Sequence, residues 1–517
     1  MRGADLLVKT LAASGVRRIF ALSGNQIMPI FDACLDAGIE LIHTRHEGAT
    51  VFMAEAYAQL TGQVGVALVT AGGGLANSVG ALASARASDT PVLLLSGDSP
   101  RGQDGTGAFQ EMDQVAITQA VTKYSYRSEA SEGLGRDVAW AIESAVTGQP
   151  GPVHLALPFD VVKAEADGPA LTADLSERPA SAEDLEAVQT LVAQAARPLV
   201  LLGPSLTPTR QAGLEQRLGA ALGAPVYAME SPRGLRDPSL GRIAEVVARA
   251  DLVLSLGKRV DFTLGFGAGE AEWITVSADG ADHAVAARNL GARHRAGVVA
   301  PARVMARALC DSAAPAREAW CAEAAELTAV QPDVGGGLTS ASLCAAVQEV
   351  ASACDESVIV CDGGEFGQWA QALTRGTARV INGVSGAIGG GLPYAMAAPV
   401  ARPGATVFAL SGDGSIGFHF AEFETAARHG LPLVMVIGND QRWNAEHQIQ
   451  LRDYGEGRLS GCGLTAARYD LSAEAMGAHG EFVTDEAELR PALERAVASG
   501  RPACVNVMIE GLPAPVV

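Results

Sequence analysis

Asp413 stands between two glycines in ATVFALSGDGSIGF (residues 405–418), where an apolar strand gives way to a helix. Glycine-rich backbone leading into a helix aims free N–H groups beyond the strand end and suits an anion such as phosphate. A carboxylate there would repel that anion unless a cation lies between them. Mg2+ or Ca2+ held by one or two carboxylates plus phosphate oxygens resolves the conflict. A second ligand is then expected at the neighbouring strand end. LPLVMVIGNDQRW (431–443) closes its apolar run on Asn439-Asp440, with Asp440 27 residues after Asp413 and a helical stretch, FAEFETAARHG, between them. The plain alternative is that Asp413 only caps its helix; the pair at the second strand end argues against it.

Glu47 is placed in a similar way, at the strand-to-helix junction HTRHEG (43–48), followed by the apolar run ATVFMA. Its plain reading is a helix-start glutamate favoured by the dipole. Two further glycine runs sit at apolar strand ends, VALVTAGGGLANS (66–78) and SVIVCDGG (357–364), and another lies in SGAIGGGLP (385–393). The GGG run of 72–74 is also readable as a tight strand–helix turn.

The elements that must position these residues alternate in period. VRRIFAL, IELIHT, VGVALVT and PVLLLSG are short apolar runs separated by helical stretches over residues 16–97. RPLVLLGPS, APVYAM, DLVLSLG and EWITVSAD repeat the pattern over 197–279, and SVIVCDGG, ATVFALSG, LPLVMVIGN and PACVNVMIE over 357–510. Near-continuous apolar strands alternating with helices predict parallel, doubly wound sheets. The fold class expected is α/β, with three such domains. Residues 164–184 and 311–340 read as connectors, and the first and third units share a rhythm.

Composition narrows the function. The 517 residues carry a net charge of −20 with no Lys/Arg-rich run, so neither nucleic acid nor an anionic membrane has an electrostatic footprint. Eight scattered cysteines without a C-x-x-C pair fit buried thiols of a reducing cytosol. MRGADLLVKTLAASG reads as a first helix rather than a signal peptide, and no apolar run reaches a membrane-spanning length. A cytoplasmic protein is expected.

The Gly412-Asp413-Gly414 and Asn439-Asp440 pairing resembles the signature of thiamine diphosphate enzymes. RHEGATVFMAEAYAQLTGQVGVALVTAGGGLANSV (45–79) is similar to the strongest N-terminal stretch of the acetolactate synthase group, and FQEMDQVAITQAVTKYS (109–125) to acetolactate synthase itself. TRHE, VALVTAGGG and NDQRWNAEH also resemble benzaldehyde lyase.

The resemblance covers essentially the whole chain and implies a pyrimidine-binding domain (1–165), a central Rossmann-like domain (185–315) and a diphosphate-binding domain (335–517). It implies thiamine diphosphate and Mg2+ as cofactors. Glu47 would hydrogen-bond N1′ of the aminopyrimidine and so prepare removal of the C2 proton, a task suited to an apolar wall. Asp413, Asp440 and the backbone carbonyl of Arg442 would hold the metal. Gly363, Gly364, Gly414 and Ser415 would meet the diphosphate, Ile388 would prop the bent cofactor, and Gly73, Gly74 and Asn77 would cover the pyrimidine. Glu47 of one chain would serve the diphosphate site of another, in a homodimer or homotetramer. Gln26 and Gln110 are the further catalytic candidates. Phe109, His419, Trp443, Asn444 and His447 are substrate-side candidates; the two histidines are equally readable as ordinary helix or loop residues.

Several departures bear on the reaction. The family usually has Asn where Asp440 stands, which adds a negative charge to the metal site. No His-His pair like that of pyruvate decarboxylase occurs, which favours carboligation over simple aldehyde release. The central domain runs from VYAMESPRGLRDPSLGRI to DLVLSLGKRVDF in fewer residues than flavin-binding acetolactate synthases use, which argues against FAD. The C-terminal lid segment of acetolactate synthases is missing after the last strand, so an open site, or a lid from 443–462, is expected. The reading is an acetolactate-synthase-like enzyme that makes or breaks a C–C bond beside a carbonyl, decarboxylating a 2-oxo acid and ligating the acyl group to a second carbonyl. The alternative is cleavage of the benzaldehyde-lyase or 2-hydroxyacyl-CoA-lyase type, on a 2-hydroxy ketone or acyl-CoA. A reading of another class is a non-catalytic cofactor-binding protein; intact Glu47, Asp413 and glycine loops argue against it.

Overall fold

The computed structural model describes residues 1–330 and 336–516. Three parallel sheets organise the chain. The first contains β1 (Arg18–Ala21), β2 (Glu40–His43), β3 (Gly65–Val69), β4 (Val92–Asp98), β5 (Tyr124–Arg127) and β6 (Val153–Pro158) in the order β2-β1-β3-β4-β6-β5. The second contains β7 (Pro198–Leu202), β8 (Val226–Ala228), β9 (Leu252–Leu256), β10 (Glu272–Ser277) and β11 (His294–Val299) in the order β11-β10-β9-β7-β8. The third contains β12 (Ser357–Cys361), β13 (Ala378–Ile381), β14 (Thr406–Gly412), β15 (Leu433–Asn439), β16 (His479–Val483) and β17 (Pro502–Met508) in the order β13-β12-β14-β15-β17-β16. The first and third sheets therefore have one strand order, position for position.

The expected strands are mostly those buried along their length, β3, β4, β7, β9, β12 and β15 among them, together with the half-exposed β2 and β8. Strands β5, β6, β11, β13 and β16 were not foreseen: β5, β11 and β16 lie at sheet edges and are half exposed, β13 is a four-residue edge strand, and the apolar run of the buried β6 is interrupted by His154. Two connectors are more structured than the sequence suggests. Residues 164–173 are held against the first helix, with Ala166 N donating to Met1 O (2.7 Å) and Ala173 N to Ser14 Oγ (3.1 Å). The 311–340 stretch contains the helix Glu318–Thr328, whose buried Trp320 donates Nε1–H to Pro198 O (2.8 Å). The expected start of the third domain, residue 335, and its last residue, 517, lie outside the described residues.

The first and third units pack through two helices, Glu47–Thr61 and Gly391–Ala401, each buried on nearly every side. Alanines and glycines let the helices approach. Phe52 meets Tyr394 edge-on, with centroids 5.2 Å apart. A buried polar network crosses this contact. Tyr394 Oη donates to Glu55 Oε2 (2.8 Å), and Ser88 Oγ donates to Glu55 Oε1 (2.6 Å). Ser88 Oγ also meets Thr90 Oγ1 (2.8 Å), which accepts from Arg210 Nη2 of the second unit (2.6 Å). All three units thus contribute to the network around Glu55, whose carboxyl is pushed up by burial against these hydrogen bonds.

Candidate active site

In an open parallel sheet, ligands bind beyond the carboxyl ends of the strands where the strand order reverses. In the third sheet that point lies between β12 and β14. A cavity of about 340 Å3 opens there, lined by Gly363, Gly364, Ile388, Asp413, Gly414, Ser415, Asp440, Arg442, Trp443 and Asn444 among others. Eight of the sequence-predicted cofactor and metal residues are thereby brought to one place, together with two substrate-side candidates.

β14 and β15 pair in register, Gly412 beside Gly438, which sets Asp413 and Asp440 just beyond adjacent strand ends. Both carboxylates are buried. Burial is the main cause that raises both carboxyls above their ordinary range; the charge of Asp440 adds to the rise at Asp413, while Arg442 opposes it at Asp440. Asp413 Oδ2 has no hydrogen-bond partner among the described residues. Two buried like charges and an orphaned carboxylate oxygen are costly without a cation. A divalent ion fits this donor set. Among the described residues no group of three or more His, Cys, Asp or Glu side chains is placed to hold a metal, so backbone, phosphate or water oxygens would complete the shell of such an ion.

The helix after β14 begins at Asp413 itself, earlier than the sequence suggests, and spans only Asp413–Ile416. Glycine at 414 is a steric requirement, since a Cβ there would lie 2.7 Å from the Trp443 ring. Gly363 departs from its expected role. Its N–H donates to Asp362 Oδ1 (2.7 Å) and is not free for a phosphate. What it supplies is room: a Cβ would lie 2.6 Å from Ile388 Cγ2 and 2.7 Å from Asn382 Nδ2. Gly364, at φ +81°, opens the helix Gly364–Leu373 at the cavity wall.

The second group of predicted residues gathers at the matching point of the first sheet, beyond β1 and β3. Glu47 is the first residue of its helix and accepts from Asn77 Nδ2 at Oε2 (3.0 Å). A Cβ on Gly74 would lie 3.4 Å from Glu47 Oε1. Gln26 is buried and accepts from Thr70 Oγ1 (2.7 Å). Gly72 takes φ +63°, its Cα facing the Gln110 backbone, and Gln110 itself takes φ +62°. Phe109 projects outward, 74% exposed. None of the described residues of the first unit lines the 340 Å3 cavity.

Two predicted residues lie elsewhere. His419 packs on His46 and Phe52, with ring centroids 5.2 and 5.6 Å away, and donates Nδ1–H to Gly389 O (2.7 Å). Burial lowers it to about 4. His447 sits on the helix Asn444–Tyr454 against Arg442 Nη1 (3.2 Å). That helix contributes Asn444, Ala445 and Glu446 to the cavity wall, and the 511–514 segment runs beside it, with Asn444 Nδ2 donating to Leu512 O (2.8 Å) and Trp369 Nε1–H to Pro513 O (3.0 Å).

Four residues at these sites escaped the sequence. Thr70 and Gln114 brace the first group; Gln114 Nε2 donates to Gly97 O (2.9 Å). Arg233, from the second unit, reaches the cavity and donates to Gln368 Oε1 (2.6 Å), with no carboxylate within ion-pair distance among the described residues. Asp362 lies buried beneath the glycine loops. Only Asp362 had a readable signal, an Asp-Gly-Gly at a strand end.

Comparison with known proteins agrees with this geometry. Residues 1–117 match the family model "Thiamine pyrophosphate enzyme, N-terminal TPP binding domain", and residues 362–507 the corresponding C-terminal TPP binding domain. The chain is 32% identical to a probable acetolactate synthase of Mycobacterium bovis, across 99% of this chain and 96% of that one. It is 29% identical to 2-hydroxyacyl-CoA lyase 2 of Homo sapiens, across 98% and 90%. Among solved structures, the thiamine diphosphate-dependent 4-hydroxybenzoylformate decarboxylase of Rhodococcus jostii superposes with a TM-score of 0.84 over 99% of both chains at 23% identity, a likeness of fold.

Proposed function

The chain belongs to the thiamine pyrophosphate enzymes, as an acetolactate-synthase-like member that makes or breaks a C–C bond beside a carbonyl, and from that premise we propose that it decarboxylates a 2-oxo acid and joins the acyl group to a second carbonyl. The observation that carries the site assignment is the buried Asp413–Asp440 pair facing a cavity cleared by glycines. Bound thiamine diphosphate would supply the electron sink. Asp413, Asp440 and the Arg442 carbonyl would hold Mg2+, while Gly364, Gly414 and Ser415 would face the diphosphate. Ile388 would prop the cofactor, and Glu47, Gly73, Gly74 and Asn77 would meet its pyrimidine. Glu47 would hold and pass the proton at N1′.

Arg233 suits the carboxylate of a 2-oxo acid, as a guanidinium at the cavity with no carboxylate within ion-pair distance among the described residues. Gln26, Gln110, Trp443 and Asn444 are read as substrate contacts. Glu47 does not line the cavity of its own chain, which supports a site completed by a second copy, in a homodimer or homotetramer. The central unit is read as structural, without flavin. Where it meets the first unit, its strand ends are taken up by Arg259, Asp282 and Ser277, joined to Asp89 and Gln149. No helix among the described residues is long and apolar enough to cross a membrane, and the protein is read as cytoplasmic.

Incubation with pyruvate, thiamine diphosphate and Mg2+ tests the reading: release of CO2 with acetolactate or acetoin is expected. Inertness toward 2-oxo acids with cleavage of a 2-hydroxyacyl-CoA would move the assignment to the lyase reading, which the likeness to 2-hydroxyacyl-CoA lyase 2 supports. Asp413→Ala should abolish Mg2+-dependent cofactor retention, measured by equilibrium dialysis.

A further inference from the structure

Asp362 immediately follows β12 and is buried. Its Oδ1 accepts from Gly363 N (2.7 Å) and Gly389 N (2.9 Å), and its Oδ2 from Gly391 N (3.2 Å) and Ser411 Oγ (3.0 Å). These donors come from three places: the turn after β12, the segment before the helix Gly391–Ala401, and the end of β14 just before Asp413. Three of them are peptide N–H groups, which can only donate, so the ionised carboxylate matches the set. Burial pushes the carboxyl up and these hydrogen bonds oppose it. Room for the carboxylate is kept by Gly391, where a Cβ would lie 2.9 Å from Asp362 Oδ2, and Gly367 makes room for the Asp362 backbone carbonyl, which a Cβ there would meet at 2.0 Å.

Ile388 stands one residue before Gly389, and its Cγ2 overhangs Gly363 so closely that a Cβ there would meet it at 2.6 Å. Oδ1 bridges the Gly363 and Gly389 peptides. The height of Ile388 over the Gly363 turn is thus set by one oxygen atom. We propose that Asp362 is a positioning residue of the active site: its carboxylate locks the Gly363 turn, the Ile388 segment and the end of β14 into one register, and so fixes the apolar prop on which the cofactor bends. This rests on reading the cavity as the thiamine diphosphate site. Asp362 itself touches neither cofactor nor substrate in this scheme.

The test uses Asp362→Asn, which keeps the shape but can turn an amide N–H against a peptide N–H. Three quantities are read on the full-length protein: the melting temperature without cofactor, the Kd for thiamine diphosphate from quenching of Trp443 against Gly414, and the C2 hydrogen–deuterium exchange of bound cofactor at saturation. Expected in D362N is a folded protein whose Kd weakens about 10- to 100-fold, the worth of hydrogen bonds to a charged group, and whose C2 exchange stays at least about 10-fold slow even when saturated. A residue that only stabilises the fold would lower the melting temperature and leave saturated exchange at the wild-type rate; that result overturns the proposal. Should D362N not fold, Ser411→Ala removes one donor and keeps the charge. Slowing of about 3- to 10-fold supports the proposal, and wild-type exchange in a folded, saturated S411A overturns it. Wild-type protein that takes up no thiamine diphosphate overturns the cofactor reading, and this inference with it; uptake by wild type with unchanged exchange in D362N overturns this inference alone.

Discussion

In the proposed function, Glu47 and the Asp413–Asp440 pair would divide two tasks that one carboxylate could not perform together, proton handling at one end of a ligand and charge balance at the other. Glu47→Gln should slow C2 exchange of bound cofactor by about 10²- to 10⁴-fold, with a Kd close to wild type, as read by NMR of the thiazolium proton. His419 makes a prediction in pH. Its Nδ1–H is committed to Gly389 O, Nε2 has no partner among the described residues, and burial holds it near 4 against 6.5 for a free imidazole. Protons therefore bind the unfolded chain first, and stability is lost as pH falls from about 6.5 toward 4. The loss should approach ~2–3 kcal/mol by pH 4, and His419→Gln should flatten that part of a melting-temperature profile. Full activity of His419→Gln at pH 7 would also show that this histidine is not a substrate contact.

At the scale of elements, the glycine turns carry steric information that their sequences only partly reveal. Gly414→Ala should weaken thiamine diphosphate binding at least about 10-fold, because the Trp443 ring blocks a methyl group and the turn must shift; calorimetric titration reads this directly. Most buried strands were legible because burial on both faces writes itself as unbroken Val/Ile/Leu runs, though β6 escaped with His154 inside its run, and Asp413 was legible because a second acidic residue closes the neighbouring apolar run. Edge strands such as β5 and β16 were not, since half-exposed strands share their composition with loops. Nor could spacing disclose that the Gly363 N–H is already committed to Asp362, or that Arg233 arrives at the cavity from another unit. Both follow from tertiary approach, for which a single sequence carries no signal. His419, a substrate-side candidate equally readable as an ordinary residue, packs on His46 and Phe52 in the contact between the first and third units, a neighbourhood that spacing does not disclose.

At the scale of the whole molecule, the separation of Glu47 from the Asp413 cavity predicts complementation between chains. Inactive Glu47→Gln and Asp413→Ala proteins, mixed and allowed to exchange subunits, should recover up to about a quarter of wild-type activity, since half of the pairs are hybrids with one intact site of two; the estimate follows from the symmetry of a two-fold pair. No recovery despite demonstrated exchange would place both halves of the site on one chain.

The polar network around Glu55 ties the three units in a different sense. Tyr394 belongs to the third, Arg210 to the second, and Ser88, Thr90 and Glu55 to the first. Pulling the third unit away takes the Tyr394 hydrogen bond from Glu55, and pulling the second away takes Arg210 from Thr90 Oγ1 and the Asp89 carbonyl, so each separation breaks part of one shared network. Heat should therefore melt the chain as one body, with a single calorimetric peak, and Tyr394→Phe should be enough to split that peak, letting a unit come loose before the rest.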